Sequence, residues 1–279
     1  MVEQTELRKL QLVEFDLMKR FAEICEAQGL RYYLLGGTLL GAVRHGGFIP
    51  WDDDVDLCMP REDYEQFLAG ASEAMGDDGI RIVSIYSDDT YRQGMAKMTT
   101  GKMQIINRSA NEERVEDAWI DIIPLDGFPT KTLAVLCHKA RLLFWKIMDA
   151  TAEFDYVVDT KRKRGVLGSV ALRVLEFLCR FIRPFGSDYH RVFMHTEKAL
   201  KRYPYAESSS AINLYAARGF KEIFPVEMLG EGRLIAFEGR EFVAPVDYEA
   251  VLETIYGADY LTPPPENDRN WHNSEVLPT

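Results

Sequence analysis

Apolar residues recur along the chain with two different periods, one typical of helices and one of strands. Between Leu10 and Ile24 they step by three and four positions, which predicts an amphipathic helix that ends at Gly29. Further helices are predicted over residues 38–44 and from Pro60 onward. Runs of strand-forming residues predict strands over residues 32–35, 55–59, 81–86, 94–99, 103–107 and 118–123.

The second half of the chain has a different pattern. Long apolar helices are predicted over residues 133–148 and 166–182, another helix from Ser187, and a last one over residues 246–256. Short strands are predicted within residues 211–244, and Pro263 to Pro265 predict an extended tail. This order indicates an α+β fold with a mainly helical second half. A domain boundary near residue 130 would separate a core, 1–130, from a region 131–279.

Composition and charge narrow the function classes. Of the 279 residues, 47% are hydrophobic and 28% charged, which is typical of a globular protein and not of a disordered one. The net charge of −11 argues against nucleic acid as a partner, because nucleic-acid binding depends on neutralising phosphates. The polar N-terminus does not resemble a signal peptide. Four scattered cysteines suggest free thiols in a reducing cytoplasm, with neither a zinc site nor a disulfide framework.

The stretch from residue 34 to residue 59 carries the strongest chemical signal. A predicted strand runs into Gly36 and Gly37, and a helix is predicted to start there. Glycines at a helix N-terminus let the backbone approach a phosphate and leave N–H groups free to bind it. Further on, Asp54 and Asp56 alternate with apolar residues, so a strand would place both carboxylates on one face. Neighbouring carboxylates repel unless a cation lies between them, and Mg²⁺ is a common solution.

A third acid, Asp121, lies within the apolar run from Trp119 to Pro124. An aspartate in a buried strand is costly without a partner, so it is expected near the other two acids. Three carboxylates on neighbouring strands are the arrangement for metal-dependent phosphoryl transfer. Asp52 and Asp53, by contrast, are expected in a solvated turn.

These features together resemble the nucleotidyltransferase-fold superfamily. Within it, three stretches look like the LicD family, whose bacterial members are similar to phosphocholine transferases and which also includes fukutin-related proteins. The stretches are GGTLLGAVRHGGFIPWDDDVDL, WIDIIPLDGFP and YGADYLTPPPENDRNWH. The resemblance implies a nucleotidyltransferase-like mixed sheet flanked by helices. It also implies that the C-terminal tail returns to the active site. Residues 131–210 contain no matching motif and are expected to determine acceptor specificity.

The resemblance implies roles for two sets of residues. The donor phosphates would be held by Gly36, Gly37 and Thr38. A divalent cation, Mg²⁺ or Mn²⁺, would be held by Asp54, Asp56 and Asp121, and Asp121 would also be the base for the acceptor hydroxyl.

Five further residues are candidates for binding the donor. Arg44 and His45 match an R-H step of the family motif, and Arg269 and His272 match its C-terminal R-x-x-H, although the resemblance does not define their roles. Arg44 suits a bidentate phosphate contact, and a structural role is an equal alternative. Lys97, in a predicted strand, is another basic candidate.

The implied reaction is transfer of a phospho-alcohol group from a CDP-alcohol to a hydroxyl of a cell-surface glycan precursor, with release of CMP. Two alternatives stay open. One is a glycosyltransferase that uses a DxD motif to hold a metal and a nucleotide sugar; the other is a non-catalytic binding module on the same fold. Intact acids at all three positions argue against the binding module.

A basic run at residues 161–164 directly precedes the apolar stretch 166–182. This stretch is slightly short for a membrane span and contains Arg173 and Glu176. Two interpretations remain. Residues 161–183 could form a buried helix after a solvated loop, or a peripheral contact with the inner face of the membrane. The second would suit a cytoplasmic enzyme with a lipid-linked glycan acceptor.

Overall fold

A mixed β-sheet forms the centre of the fold, and helices pack around it. The computed structural model describes residues 2–75, 79–107, 113–152, 154, 165–182, 188–216, 218–266, 269 and 275–277. The helices are α1 Val2–Gln28, α2 Gly36–His45, α3 Arg61–Met75, α4 Thr132–Ala152, α5 Val166–Ile182, α6 Tyr189–Leu200, α7 Val226–Leu229 and α8 Tyr248–Tyr256. The strands are β1 Tyr33–Leu34, β2 Asp56–Pro60, β3 Ile80–Val83, β4 Ala96–Asn107, β5 Arg114–Phe128, β6 Ser210–Ile212, β7 Ile223–Pro225, β8 Arg233–Phe237, β9 Arg240–Ala244 and β10 Glu275–Val276.

The sheet has the spatial order β1-β2-β5-β4-β10. Strands β2 and β5 are parallel, whereas β1 with β2, β4 with β5 and β10 with β4 are antiparallel. A parallel pair needs a crossover connection, and here α3, β3 and β4 lie between the two strands in the chain. Two further strands extend the sheet, because β6 pairs with the end of β5 and β7 pairs with β6.

The first helix covers this sheet with the face that the sequence pattern predicts. Leu17, Met18, Phe21 and Cys25 are buried in the main core cluster, together with residues of β2 and β5 such as Leu57. Met18, Phe21 and Cys25 follow one another at about one helical turn, and Leu17 lies next to Met18, so α1 can bury one side and expose the other. The core thus fixes the sheet that carries the candidate acids.

The main core also draws residues from the second half of the chain. Tyr205, Phe224, Phe242 and Leu252 are buried in the same cluster as Leu57. The boundary near residue 130 therefore stays a prediction, and the main core includes residues from both sides of it.

A buried ionic network ties α6 to the first half of the chain. The Arg61 guanidinium donates to both carboxylate oxygens of Asp126, at 2.7 and 2.6 Å, and to Oε2 of Glu197 at 2.9 Å. Tyr86 and Tyr215 donate to Glu197 as well. Removing one member of such a network would leave a buried charge without its partner, which costs more than the pair gains. The network therefore holds α3, β5 and α6 in one arrangement.

The predicted α+β class is confirmed, with a mixed sheet flanked by helices. The separate strands predicted over 94–99 and 103–107 are one strand, β4, with an irregularity between Thr100 and Gln104. The strand predicted over 118–123 is longer and runs from Arg114 to Phe128. Ser187, the expected start of a helix, lies outside the described residues; that helix begins at Tyr189, and Asp188 caps its N-terminus.

The last predicted helix is α8, and Asp247 caps its N-terminus. The short strand β10 was not predicted, and it brings the C-terminal residues back to β4. Among the described helices, none is both long and apolar enough to cross a membrane.

Candidate active site

Two of the predicted acids are brought side by side by the parallel strands. Asp56 begins β2, and its partner in the register with β5 is Asp121. The backbone N–H of Asp121 also donates to the carbonyl of Val55 at 2.9 Å, which fixes this register. Paired residues on neighbouring strands project to the same face of a sheet, so the two carboxylates share one face. Both residues are partly accessible, although the residues around them are buried.

Asp54 lies two residues before Asp56, in a segment without regular secondary structure just outside β2. It is partly accessible, and so are Asp52 and Asp53. The turn expected for Asp52 and Asp53 is therefore not fully solvated, because both side chains lie against the fold. Four carboxylates precede or begin β2, and Asp121 adds a fifth on the neighbouring strand.

The glycines at the start of α2 give these acids the room they need. A Cβ atom on Gly36 would lie 2.8 Å from Oδ2 of Asp56, and one on Gly37 would lie 2.6 Å from Oδ2 of Asp52. Gly36 also has a φ of +56°, which side chains disfavour. With any residue other than glycine at these two positions, the N-terminus of α2 could not lie this close to the acidic segment.

Thr38 fixes the distance between α2 and β2. Its buried Oγ1 accepts a hydrogen bond of 2.8 Å from the backbone N–H of Asp56. The hydroxyl thus positions the first residue of β2. The three predicted donor-binding residues and the acids consequently form one site, with the helix N-terminus on one side and the strand pair on the other.

A cluster of basic residues surrounds Trp51, just before the acids. The Arg269 guanidinium carbon lies 4.1 Å from the centre of a Trp51 ring, and that of Arg44 lies 5.8 Å away. The His45 ring contacts the same indole edge-on, with 6.2 Å between ring centroids. Three of the predicted donor-binding residues therefore meet on the side chain of Trp51. His272, another of the predicted donor-binding residues, lies outside the described residues.

The electrostatics of this cluster agree with the short distances. Burial lowers the pKa of Arg44 from its ordinary value, and the charge of Arg269 acts in the same direction. Asp52 opposes these effects, which indicates that the acidic segment lies close to the arginines. Burial and the charge of Arg44 likewise lower the pKa of His45. The cluster is thus a concentration of positive charge at the edge of a concentration of negative charge.

Lys97 is the register partner of Asp121 on β4, so it belongs to the same part of the sheet. Its ammonium group, however, forms a salt bridge of 3.0 Å with Glu116 and lies 3.6 Å from the centre of a Trp119 ring. The side chain is buried in this position. A role of Lys97 in phosphate binding stays a prediction, and it would require the salt bridge to open.

Comparison with known proteins finds a family match over part of the chain and a relative over nearly all of it. Residues 29–134 match the family model "LicD/FKTN/FKRP, nucleotidyltransferase domain". This range includes the two glycines at the start of α2 and the five aspartates of the candidate site. The chain is 27% identical over 270 residues to the lipopolysaccharide cholinephosphotransferase LicD of Haemophilus influenzae, with 96% of each chain covered. Residues 29–134 therefore match the LicD family, and the chain is similar to a LicD protein along almost its whole length. The predicted enzyme class, a LicD-type phosphotransferase, is confirmed at the level of this family.

A second relative matches over a shorter stretch. The ribitol 5-phosphate transferase FKRP of Mus musculus is 62% identical over 108 residues, which cover 39% of this chain and 20% of that protein. These two relatives are named for the transfer of two different phospho-alcohols, and both stay open for this chain.

The donor atoms of this site suit a hard divalent cation. Carboxylates are the preferred ligands of Mg²⁺, and Asp56 and Asp121 offer two on one face beside a space that only glycine leaves open. Within the described residues, however, no three His, Cys, Asp or Glu side chains already stand in an arrangement that would hold a metal ion. The carboxylates suit the ion by their chemistry and by their positions on neighbouring strands. Their side chains are not already arranged around a common position for the ion.

Sequence reasoning missed two residues beside the acids. Glu14 of α1 is 2% exposed, and among the described residues no group donates a hydrogen bond to its Oε2. Burial raises the pKa of Glu14 well above its ordinary value, and the charges of Asp54, Asp53, Asp52 and Asp121 raise it further. The available signal was its position on the apolar face of α1, one turn before Met18.

Tyr256, the last residue of α8, is the second. Burial raises the pKa of its hydroxyl, and the charges of Asp56 and Asp52 act in the same direction. The C-terminal end of α8 therefore lies close enough to the acids to feel their charge. No periodic pattern marks Tyr256 as a site residue. Its position near the acids depends on how α8 packs against α2 and not on the sequence around it.

Proposed function

We propose that this enzyme moves a phospho-alcohol group, such as phosphocholine, from a CDP-alcohol donor to a hydroxyl of a cell-surface glycan precursor and releases CMP. The observation that carries the proposal is the register pairing of Asp56 with Asp121 beside the glycines of α2. The family supports the reaction class, because its two relatives above are named for transfer of choline phosphate and ribitol 5-phosphate. Choline, ribitol, glycerol and ethanolamine all stay open as the alcohol.

The donor diphosphate would bind between the start of α2 and the basic cluster. Backbone N–H groups of Gly36, Gly37 and Thr38 can donate to phosphate oxygens, since the first turn of a helix leaves its N–H groups without helical partners. Arg44 and Arg269 bring two guanidinium groups to the same region, and each can bind a phosphate in bidentate fashion. His45 and His272 would contribute to the same end of the donor.

The acceptor hydroxyl would be activated by Asp121. The oxygen of the acceptor hydroxyl attacks the phosphorus that bears the alcohol. A new P–O bond forms while the bond between this phosphorus and the CMP oxygen breaks. CMP leaves with that electron pair, and the hydroxyl proton passes to the Asp121 carboxylate. A carboxylate can act in this way when it is held at the reacting face, and the register pairing of Asp121 with Asp56 supports this role.

Asp54, Asp56 and Asp121 would hold Mg²⁺ or Mn²⁺. When bound, a divalent cation supplies neutralisation of the negative charge on the diphosphate and on the leaving CMP. The contribution of the protein is to keep the carboxylates on one face while Gly36 leaves space next to Asp56. Their mutual repulsion without a cation favours binding of one.

The location that suits this reaction is the cytoplasm. A lipid-linked glycan acceptor would be presented at the inner face of the membrane, where residues 161–183 would make a peripheral contact. Of this segment, residues 161–164 and 183 lie outside the described residues.

The proposal is tested by incubating the full chain with Mg²⁺ and a panel of CDP-alcohols and measuring CMP release in the presence of a glycan acceptor. Asp56→Asn should stop the release, and Asp117→Asn, on the same strand as Asp121 but paired with Arg81, should not. Release of a nucleoside diphosphate from a nucleotide sugar would instead identify a glycosyltransferase. Failure both to bind Mn²⁺ and to turn over any donor would leave a binding module.

A further inference from the structure

The helix that follows the catalytic strand exposes an apolar stripe. On α4 the side chains of Leu133, Leu136, Leu143 and Phe144 are at least half exposed, and that of Ile147 is more than a third exposed. These positions fall on one side of a helix with 3.6 residues per turn. The opposite side, which includes Leu142, packs in a buried cluster. The stripe is therefore an outer face of a docked helix and not an unfolded segment.

The next helix repeats this arrangement. On α5 the side chains of Val166, Val170, Val174 and Phe177 are all more than half exposed, and Val166 reaches 84%. They also fall on one side of the helix. Because α4 and α5 pack against each other, two neighbouring helices present nine large apolar side chains to solvent. Such a concentration is unusual for a water-exposed surface and marks a contact site. We call these nine side chains the helix-pair face.

The charge of this region differs in sign from the rest of the chain. Residues 131–202 contain 15 Lys and Arg and 7 Asp and Glu, a net charge of +8, which leaves −19 on the rest of a chain whose total is −11. Some of the positive charge lies beside the stripes, such as that of exposed Arg173 on α5 and of half-buried Lys139 on α4. The remainder includes the basic run 161–164 in the connection between the two helices.

We propose that the helix-pair face is a docking surface for an anionic membrane, formed by α4 and α5 together. Amphipathic helices with cations beside an apolar stripe bind in the plane of such a membrane, because the apolar side chains enter the acyl region while the cations meet lipid phosphates. The inference rests on the proposed function in one respect, because the membrane contact would bring the active site to a lipid-linked acceptor.

A second copy of the chain is the competing occupant, and the charge argues against it. Two helix-pair faces brought together would each bring the cations beside the stripes, such as Arg173 and Lys139, to the interface, and like charges at an interface oppose association. A membrane rich in anionic lipid supplies the complementary charge. The surface also extends beyond residues 161–183, because α4 provides five of the nine apolar side chains.

The test is co-sedimentation of the full chain with phosphatidylcholine vesicles that contain or lack phosphatidylglycerol. We expect binding only to the anionic vesicles, and weaker binding at high salt. Leu136→Gln/Leu143→Gln/Phe144→Gln on α4 and Val170→Gln/Val174→Gln/Phe177→Gln on α5 should each weaken it on the order of tenfold or more. The matched control, Leu12→Gln/Val115→Gln/Leu234→Gln, changes three exposed apolar side chains elsewhere and should bind like the wild type.

Changing residues 161–164 to serine should weaken binding on the order of tenfold or more and reduce its dependence on salt. Thermal unfolding of each variant checks that the fold is kept. No binding of the wild type to anionic vesicles at low salt would overturn the proposal, and so would equal binding of the α4 or α5 variants. A dimer in solution that the same variants dissociate would identify a self-association face instead. CMP release with a soluble acceptor tests the proposed reaction separately, since vesicle binding requires no turnover.

Discussion

Arg269 of the C-terminal tail stacks its guanidinium group on the indole of Trp51, with 4.1 Å from the guanidinium carbon to the ring centre. Its Nε also donates to the carbonyl of Pro264 at 3.1 Å, so the tail curves to present this side chain. Because Arg44 approaches the same indole, two positive charges are held near each other beside Asp52. A bound diphosphate would relieve the repulsion between them. The contact therefore connects the end of the chain to the proposed donor site.

Replacing Arg269 by alanine should raise the donor KM about tenfold or more with a smaller effect on kcat, because a charged hydrogen bond is worth about 1.5–3 kcal/mol. Trp51→Leu should have a similar effect by releasing both arginines, and Trp51→Phe a weaker one. Steady-state kinetics with the CDP-alcohol varied measures this.

Arg233→Ala is the matched control for Arg269→Ala. It removes another arginine that lies over an aromatic ring, that of Tyr248 at 5.0 Å, in a different part of the fold. It should leave the donor KM unchanged. A normal donor KM in Arg269→Ala would show that the tail has no part in donor binding.

Asp56→Asn and Asp121→Asn should each lower kcat on the order of 10³-fold or more, because both carboxylates are required at the reacting face. Each should also weaken Mn²⁺ binding, which isothermal calorimetry measures without turnover. Removing one of several like charges should keep or raise the stability of the metal-free protein. Asp117→Asn serves as the control on β5, and a variant of Asp56 or Asp121 with normal turnover would exclude that residue from the site.

Gly37→Val should raise the donor KM and leave the protein folded. A Cβ atom there would meet Oδ2 of Asp52 at 2.6 Å, so the carboxylate has to move and the approach to the helix N-terminus narrows. Gly101→Val is the control, since a Cβ atom on Gly101 would have no neighbouring atom within 4 Å. Kinetics and thermal unfolding of both variants give the comparison. Equal donor KM values in Gly37→Val and the wild type would contradict the placement of the donor at this helix.

Much of the frame of this site could be predicted from the sequence. The periodicity of α1, the glycines before α2 and the alternation of Asp54 and Asp56 are local signals, and the helices and the strand they predict are present. The sequence could predict that Asp56 and Asp121 lie near each other, but not that they are register partners on parallel strands. Register depends on contacts between strands that are 65 residues apart, which no local pattern encodes.

The parts that could not be predicted are also long-range. The meeting of Arg44 and Arg269 on Trp51 requires the tail to return across the fold, and an aromatic residue in isolation gives no sign of such partners. Lys97 was a basic candidate for donor binding from its place in a predicted strand, but its salt bridge joins it to Glu116, 19 residues away, and no local pattern encodes that contact. Glu14 was not predicted as part of the site, because its burial near the acids depends on how α1 packs.

Glu14 leads to a prediction about pH. Its pKa is raised in the folded protein by burial and by the nearby aspartates, whereas in the unfolded chain it is ordinary. Between these two pKa values the folded state binds more protons than the unfolded state. The free energy of unfolding should therefore decrease as the pH rises from the ordinary pKa of a glutamate, about 4.3, toward the raised value. Glu14→Gln cannot lose a proton, so it removes this contribution.

We expect Glu14→Gln to be more stable than the wild type at neutral pH, and the difference to shrink as the pH falls toward 4. Urea unfolding at a series of pH values in the presence of EDTA measures this for the metal-free protein. Glu26→Gln, an exposed glutamate on the same helix, is the control and should follow the wild type. A Glu14→Gln variant that is less stable than the wild type at neutral pH would mean that the ionised carboxylate has a partner. In that case the ionised Glu14 carboxylate would stabilise the folded site instead of lowering the free energy of unfolding.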